Sequence, residues 1–400
     1  MARNPFTPTF GVSPPLLVGR DDLIQEFASA LDDGAGSPGR ATIYTGVRGT
    51  GKTVMLNKVQ EVAEERGWLV ISETATPGFI TRLSTIHLPG IMAGFRSPGK
   101  RTRLTGVSLP FGAGGATWDS TNRDAAPSDF RSQLEHVTDI LAEYGTGVLI
   151  TLDELHYQQI DGLREFATTI QHTFREERAV AFAGAGLSSA VSPVLNDNVL
   201  TFLRRADRYN LGPVNLVDVE RAIREPIEAN GRELDPVACT EAARATGGYP
   251  FLIQLVGRYT WQQNPRERVI KSPDVAAAVA AARRRLGSLV YEPALADVSN
   301  IDRTFLVAMA QDSGPSKMSD ICTRLGVNAN YGSQYRLRLI EAGLVESSRH
   351  GEVDFAQPLL REYLQEHAVT LATGLANSNS DDQNSIFVEM PDQFDLGVID

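Results

Sequence analysis

The chain has 400 residues, which is enough for two or three domains with buried cores. Its composition, 42% hydrophobic and 22% charged, is typical of a globular protein, and no apolar run of about 18 residues predicts a membrane-spanning helix. The formal net charge of -11 argues against broad non-specific binding to nucleic acid, but it leaves room for a small basic face on one domain.

The first residues and the cysteines indicate the cellular setting. Residues 1–6 lack the long apolar stretch of a secretory signal peptide. Cys239 and Cys322 are the two cysteines. They fall in different predicted domains, so we expect no disulfide framework and a reducing cytoplasm.

The first half of the chain alternates between strand and helix patterns after an extended arm of about 15 residues, rich in Pro and Thr. A stretch near 88–127, dense in Gly, Pro, Arg and Lys, is typical of an insertion with a hairpin around residues 110–112. Alternating strands and helices predict an α/β fold, a parallel sheet with helices on both faces. We expect helices at 21–31, 52–66, 129–143 and 161–175, and strands at 41–45, 68–72, 148–152 and 179–183.

The second half of the chain has a different pattern and predicts three further regions. Residues 213–297 are helical in pattern and predict a helical domain, the lid of the family resemblance given below, that follows a core domain over 1–212. Residues 298–370 predict three short helices and a β-hairpin with Gly351 at its tip, the spacing of a winged helix-turn-helix. Residues 371–400, with six acids and neither Lys nor Arg, predict a disordered acidic tail.

The most specific motif spans residues 46–53 and matches the phosphate-binding pattern G-x-x-x-x-G-K-[ST]. Its glycines allow a tight turn that points N–H groups at phosphate oxygens, and the following helix N-terminus adds partial positive charge. Lys52 is expected to reach the β- and γ-phosphates, and the Thr53 hydroxyl to hold Mg²⁺. A Gly-rich turn without a ligand is the alternative. We expect ATP to contact Gly46, Val47, Arg48, Gly49, Thr50, Gly51, Lys52, Thr53 and Val54.

Two acids end the apolar strand at 148–152, as expected for the partner of a phosphate-binding loop. Asp153 would bind Mg²⁺ through water, and Glu154 would orient and polarise the water that attacks the γ-phosphate. Such placements suffice for phosphoryl transfer, which depends mainly on positioning and charge stabilisation. His156 is adjacent, but a lone histidine after a strand is more often structural. The alternative for the acid pair is a strand that ends in solvated carboxylates.

The motifs together resemble the AAA+ superfamily, specifically the branch of STAND-type switch ATPases, archaeal-type ATPases and origin-initiator ATPases. The phosphate-binding loop and Asp153-Glu154 follow in the right order, and the C-terminal pattern looks like the winged helix of this branch. The resemblance implies that Val18, Gly19 and Arg20 lie near the adenine. It also implies that the segment 246–252 is a G-x-P lid motif in which Pro250 contacts the nucleotide.

The sequence departs from this family at the γ-phosphate sensor of the core domain and lacks a clear sensor arginine in the lid. The fourth strand has no polar residue at its end to sense the γ-phosphate, although Ser188 or Ser189 follows it. An arginine finger, supplied to a neighbouring subunit, is expected where Arg204, Arg205 and Arg208 lie, and it implies self-association; a solvated helix face is the alternative.

The third helix of the predicted winged helix carries residues suited to DNA. Arg336 is favoured as the contact, and Arg338, about 200° away on the helix, is expected at the rim or in a domain contact. Residues 298–373 contain nine acids and seven Lys or Arg, so the charge does not decide between DNA and protein as a partner. The side chains suited to base edges and phosphates are Asn330, Ser333, Gln334, Arg336 and Arg338.

Three functions remain open, and all of them use the same Mg²⁺-dependent ATP site. The first is an ATPase switch whose nucleotide state controls binding to double-stranded DNA, as in initiator-like proteins. The second is a STAND-like regulatory ATPase whose winged helix mediates protein interaction and self-association. The third is a transposition or phage-defence ATPase. The acidic balance and the missing sensor favour a slow switch over a fast motor.

Overall fold

A computed structural model describes residues 3–9, 11–95, 129–198, 200–349 and 351–367. The chain forms two compact units, residues 1–286 and residues 287–400. The hairpin expected around residues 110–112 and the acidic tail over 371–400 lie outside the described residues. Within the described part of the chain, no helix is long and apolar enough to span a bilayer.

Five parallel strands form the central sheet among the described residues of the first unit, in the order β2-β3-β4-β1-β5. Strand β3 is nearly all apolar because both faces of a parallel sheet are covered. The predicted α/β class is therefore confirmed, and the carboxyl ends of all five strands lie at one edge. The strands are β1 (Ala41–Thr45), β2 (Leu69–Thr74), β3 (Val148–Asp153), β4 (Val180–Gly186) and β5 (Asp207–Asn210).

Helices cover both faces of this sheet, and alternate residues of β3 pack into two separate cores. Val148, Ile150 and Leu152 belong to the core under α5 and α6, whereas Leu149 belongs to the core under α1 and α2. The helices are α1 (Asp21–Asp32), α2 (Lys52–Glu65), α3 (Phe79–Arg82), α4 (Leu88–Phe95), α5 (Phe130–Glu143), α6 (Ile160–Arg175) and α7 (Ser188–Asn196).

Helix α4 begins the stretch near 88–127 that the sequence predicts to be an insertion, and the insertion itself stays a prediction. Leu88 and Met92 are buried in the core under α5, so the described part of this stretch belongs to the domain. A π-helical turn over Leu83–His87 precedes Pro89. The wider turn accommodates Pro89, which lacks an N–H group. The sequence pattern alone did not reveal this π-helical turn.

Residues 213–286 of the predicted lid complete the first unit, whereas residues 287–297, predicted to belong to it, lie in the second unit. The lid is helical as expected, except for a short parallel pair, β6 with β7, that was not predicted. Pro236 and Pro250 stand at the first position of their helices, where a missing N–H has no cost. The elements are α8 (Leu216–Ala229), β6 (Glu233–Leu234), α9 (Pro236–Ala245), α10 (Pro250–Gln262), β7 (Val269–Ile270) and α11 (Ser272–Leu286).

The second unit contains three principal helices, α13 to α15, and an antiparallel sheet of order β8-β10-β9. The helices expected near 301–310, 318–325 and 329–342 are confirmed, as are the two strands that flank Gly351. The elements are α12 (Glu292–Ala296), α13 (Asn300–Ala310), β8 (Ser316–Lys317), α14 (Met318–Leu325), α15 (Ala329–Glu341), β9 (Val345–Arg349) and β10 (Glu352–Phe355).

Candidate functional site

The phosphate-binding motif connects the carboxyl end of β1 to the first turn of α2. Gly49 and Gly51 have φ angles of 78° and 92°, a left-handed conformation that glycine adopts without a steric penalty. Gly51 caps α2, so the unpaired N–H groups of the first helical turn face the loop. Backbone donors and the helix dipole together favour an anion at this position.

The side chain of Lys52 folds over the same loop. Its Nζ donates to the carbonyl oxygens of Gly46 at 3.1 Å and Val47 at 2.9 Å, and Lys52 is only 8% exposed. Burial lowers the pKa of Lys52, while the charges of Glu154 and Asp153 act in the opposite direction. The structure therefore places a buried cation at the phosphate-binding loop; that Lys52 reaches the β- and γ-phosphates stays a prediction.

Thr53 and Asp153, predicted to hold Mg²⁺, are brought together from α2 and β3. The Thr53 hydroxyl donates to Oδ2 of Asp153 at 2.7 Å, and Oδ1 of Asp153 accepts the Glu154 N–H at 2.8 Å. Hydroxyl and carboxylate oxygens are hard donors, and Mg²⁺ completes its six ligands with phosphate oxygens and water. The donor set therefore fits a magnesium ion, which Thr53 and Asp153 would hold.

Glu154 follows at the end of β3 with an unusual backbone. Its φ of 55° is uncommon for a residue with a side chain, and such conformations concentrate at functional sites. The side chain is exposed, whereas the strand before it is buried. The Glu154 carboxylate thus follows Asp153 at the carboxyl end of β3, and its role as the water-activating base stays a prediction.

The serines proposed as substitutes for a γ-phosphate sensor lie in the first turn of α7, after β4. The Ser188 hydroxyl donates to the Asn210 side-chain oxygen at 3.4 Å, and the Ser189 hydroxyl is buried without a partner among the described residues. Asn210 ends β5 at the same sheet edge. A sensor role for either serine stays a prediction.

The structure gives Arg204 a different task from the one predicted. Its guanidinium donates to three backbone carbonyls at and beyond the end of α7, those of Leu195, Asn196 and Asp197. Such contacts stabilise a helix C-terminus, so Arg204 is withdrawn as a candidate arginine finger. Arg205 is exposed, as Arg204 is, but it has no ion-pair partner among the described residues, and it remains the candidate.

The predicted adenine segment lies beside the start of the lid. Val18 is buried, and the Arg20 guanidinium donates to the Gly212 carbonyl. A Cβ on Gly19, which has a φ of 66°, would lie 3.0 Å from the Val214 side chain. Residues 18–20 are thus held against the stretch of chain that joins β5 to the lid.

The lid motif contacts the phosphate-binding loop through Tyr249 and Phe251, and the contact between Pro250 and the nucleotide stays a prediction. Pro250 is the first residue of α10. The contacts come from its neighbours: the Tyr249 hydroxyl donates to the Arg48 carbonyl at 2.7 Å, and the Phe251 N–H donates to the Gly49 carbonyl at 3.2 Å. The G-x-P motif predicted that this segment lies at the nucleotide site. The spacing of its residues could not show which side chain contacts the phosphate-binding loop.

The arginines of α15 in the second unit are both engaged. Arg338 forms an ion pair with buried Asp302 at 2.6 Å, the domain contact that the sequence allowed for it. The Arg336 guanidinium is half-buried and donates to the Ser347 hydroxyl of β9 at 2.6 Å. Arg336, which the sequence favoured as the DNA contact of α15, is therefore directed at the β-hairpin and not at solvent.

Other side chains form the outer face of α15, and two exposed cations lie on strands β8 and β9 of the same unit. The solvent-facing positions include Asn330, Ser333 and Gln334, and also Leu337, which is 62% exposed. Lys317 and Arg349 are exposed and have no ion-pair partner among the described residues. Most other arginines of this unit bind carboxylates or carbonyl oxygens within it.

These features define a P-loop nucleotide-binding fold, and the comparisons with known proteins agree with that class. The family model described as the AAA ATPase domain matches residues 16–180, the part of the chain that contains the phosphate-binding motif and Asp153-Glu154. Residues 288–364 match a domain of unknown function, DUF8462. A search of curated proteins finds no match to the chain.

Solved structures with the same fold include two archaeal proteins. The Walker-type ATPase PABY2304 of Pyrococcus abyssi is 14% identical, with a TM-score of 0.60 over 87% of this chain and 96% of that one. The ORC2 protein of Aeropyrum pernix, in its ADPNP-ADP complexes, is 14% identical, with a TM-score of 0.58 over 94% and 98%. At this identity the similarity establishes the fold alone.

Proposed function

We propose that the chain binds ATP with Mg²⁺ and hydrolyses it to ADP and phosphate. The observation that carries the proposal is the hydrogen bond between Thr53 and Asp153, which joins the phosphate-binding loop to the acid-bearing strand. A Gly-rich turn without a ligand would have no need for this partner. The AAA ATPase domain match over residues 16–180 supports the same conclusion.

In this mechanism each side chain has one task. The loop amides and Lys52 bind the β- and γ-phosphates. Thr53 and Asp153 would hold a magnesium ion, which would neutralise phosphate charge. Glu154 accepts a hydrogen bond from water and orients it in line with the γ-phosphorus. No covalent intermediate with the protein is required.

We infer further that nucleotide binding acts as a switch. The lid contacts the carbonyls of Arg48 and Gly49 in the phosphate-binding loop, so the lid position and the loop conformation are linked. An exposed arginine, Arg205, is available to a second copy of the chain, which would complete the site in trans. Self-association would then control turnover.

We propose DNA binding by the second unit as the output of this switch. The order helix, strand, helix, helix, strand, strand is typical of a winged helix, and Asn330 and Gln334 on the outer face are suited to base edges. Phosphate contacts would come from Lys317 and Arg349, which are exposed, and not from Arg336 or Arg338. A partner protein at exposed Leu337 is the competing outcome of the test described below.

The test of ATP chemistry is Thr53→Val, which keeps the size of the side chain and removes its hydroxyl. We expect wild-type turnover to require Mg²⁺ and the variant to lose most of it, measured by phosphate release with Mg²⁺ or with EDTA. Thr85→Val is the matched control, because the Thr85 hydroxyl bonds only to a carbonyl of its own helical segment. Turnover in EDTA, or full activity of Thr53→Val, would contradict the proposal.

A further inference from the structure

Two contacts of the lid fall on consecutive peptide units of the phosphate-binding loop. The Tyr249 hydroxyl binds the Arg48 carbonyl, and the Phe251 N–H binds the Gly49 carbonyl. The two preceding carbonyls bond to Lys52. The loop's own lysine thus holds one half of the loop, and the lid holds the other half.

The geometry of the peptide bond gives these contacts a consequence. A trans peptide is planar, and its C=O and N–H point in opposite directions. A donor that holds the Arg48 carbonyl therefore directs the Gly49 N–H away from the lid, and a donor on the Gly49 carbonyl does the same for the Thr50 N–H. In a loop of this type such N–H groups are the phosphate donors.

Packing keeps Tyr249 in this position. The side chain is 1% exposed, and a Cβ on Gly49 would lie 2.1 Å from its hydroxyl oxygen and 2.7 Å from ring atom Cζ. The ring therefore occupies the space that a side chain at residue 49 would need. Burial also raises the pKa of the Tyr249 hydroxyl, which keeps it protonated as a donor.

We propose that Tyr249 is a positioning residue, which orients the amide donors of the phosphate-binding loop and makes affinity for the β-phosphate depend on lid contact. The inference rests on the proposed function and deepens it. Nucleotide binding and lid contact are two coupled equilibria, and such coupling is reciprocal. A bound nucleoside di- or triphosphate therefore stabilises the lid contact by the same free energy with which the lid contact stabilises the bound nucleotide. Nucleotides without a β-phosphate receive none of this benefit.

The experiment compares Tyr249→Phe with wild type. The variant keeps the ring against Gly49 and removes the hydroxyl alone. We expect affinity for fluorescent ATP and ADP analogues to fall about 5- to 10-fold, the effect of one buried hydrogen bond, and affinity for the AMP analogue to stay unchanged. The KM for ATP should rise by a similar factor, with little change in kcat.

Tyr291→Phe is the matched control, because the Tyr291 hydroxyl also donates to a backbone carbonyl, that of Pro358, in the second unit. This control should keep wild-type nucleotide affinity. Equal ATP affinity in Tyr249→Phe and wild type would overturn the inference, as would an equal loss for AMP. Wild-type protein that binds no ATP would instead refute the proposed function, so the two failures are distinguishable.

Hydrogen exchange on the wild-type chain tests the same coupling without a variant. We expect ADP to slow exchange of the first amides of α10, including that of Phe251, because the nucleotide stabilises the loop carbonyl that Phe251 binds. AMP at saturation should leave the exchange rates of these amides unchanged. No change with ADP, at a concentration that saturates the site, would overturn the proposal.

Discussion

Replacement of Lys52 by methionine isolates the contribution of one cation to ATP binding. Methionine has a similar length and an apolar stem, so the variant removes the charge with little change in packing. A unit charge pair at about 4 Å, with an effective dielectric constant near 20, is worth about 4 kcal/mol. The ammonium group leaves its bonds to Gly46 and Val47 when it turns to a phosphate, which offsets about 2 kcal/mol.

The net loss of about 2 kcal/mol predicts that Lys52→Met binds ATP about 30-fold more weakly. Isothermal titration calorimetry with Mg²⁺ measures the difference, and AMP serves as the internal reference because it has no β- or γ-phosphate. Lys58→Met is the matched control, since Lys58 lies on the same helix and pairs with Glu61 at the surface. Equal ATP affinity in Lys52→Met and wild type would refute this reasoning, as would an equal loss of AMP affinity.

Two further predictions concern the partners of the ATPase domain and of the second unit. Specific ATPase activity should rise with protein concentration, and Arg205→Ala should depress it at least tenfold. Arg175→Ala, which replaces another exposed arginine, should leave the activity unchanged. Turnover that is independent of protein concentration would exclude an arginine finger supplied by a second copy of the chain. Fluorescence anisotropy with duplex DNA across a salt series should show that the double variant Lys317→Ala, Arg349→Ala binds DNA more weakly. The slope of its log affinity against log salt concentration should be about 2 smaller in magnitude than that of wild type. Arg268→Ala, an exposed lid arginine, should leave that slope unchanged, and absence of wild-type binding at low salt would favour a protein partner.

The strand-to-helix unit of the phosphate site was predictable because its signals are local. An apolar strand ends at Thr45, glycines provide the turn, and the helix starts at Lys52, where the structure also begins it. The acid pair was predictable only beside the phosphate-binding motif, since a buried apolar strand that ends in Asp153 and Glu154 can also be a strand that ends in solvated carboxylates. That Thr53 and Asp153 meet follows from parallel strands, whose carboxyl ends share one edge of the sheet.

The roles of several long side chains were not predictable, because they depend on contacts between segments far apart in the chain. Arg204 was a candidate finger by position, yet it binds carbonyls at the end of α7. Tyr249 was visible within the lid motif, but its contact with the Arg48 carbonyl joins positions 201 residues apart. Arg336 turns to the β-hairpin because Gly332 and Leu339, on neighbouring faces of α15, are buried.

The helical conformation of residues 88–95 was missed for a different reason. Pro89 and the glycines at 90 and 94 are typical of irregular structure, and they outweighed the apolar spacing of Leu88 and Met92. Tertiary packing under α5 decides the conformation there, and propensity alone is a weak guide in such a case.

The role of Glu154 in ATP hydrolysis tests the proposed activity most directly. Glu154→Gln should bind ATP with wild-type affinity while its rate of phosphate release, measured at saturating ATP and Mg²⁺, falls at least 100-fold. Glu177→Gln is the matched control, because Glu177 is also exposed and has a similar φ of 53° but follows α6, at the opposite edge of the sheet. We expect Glu177→Gln to release phosphate at the wild-type rate; wild-type turnover by Glu154→Gln would contradict the assignment of this site.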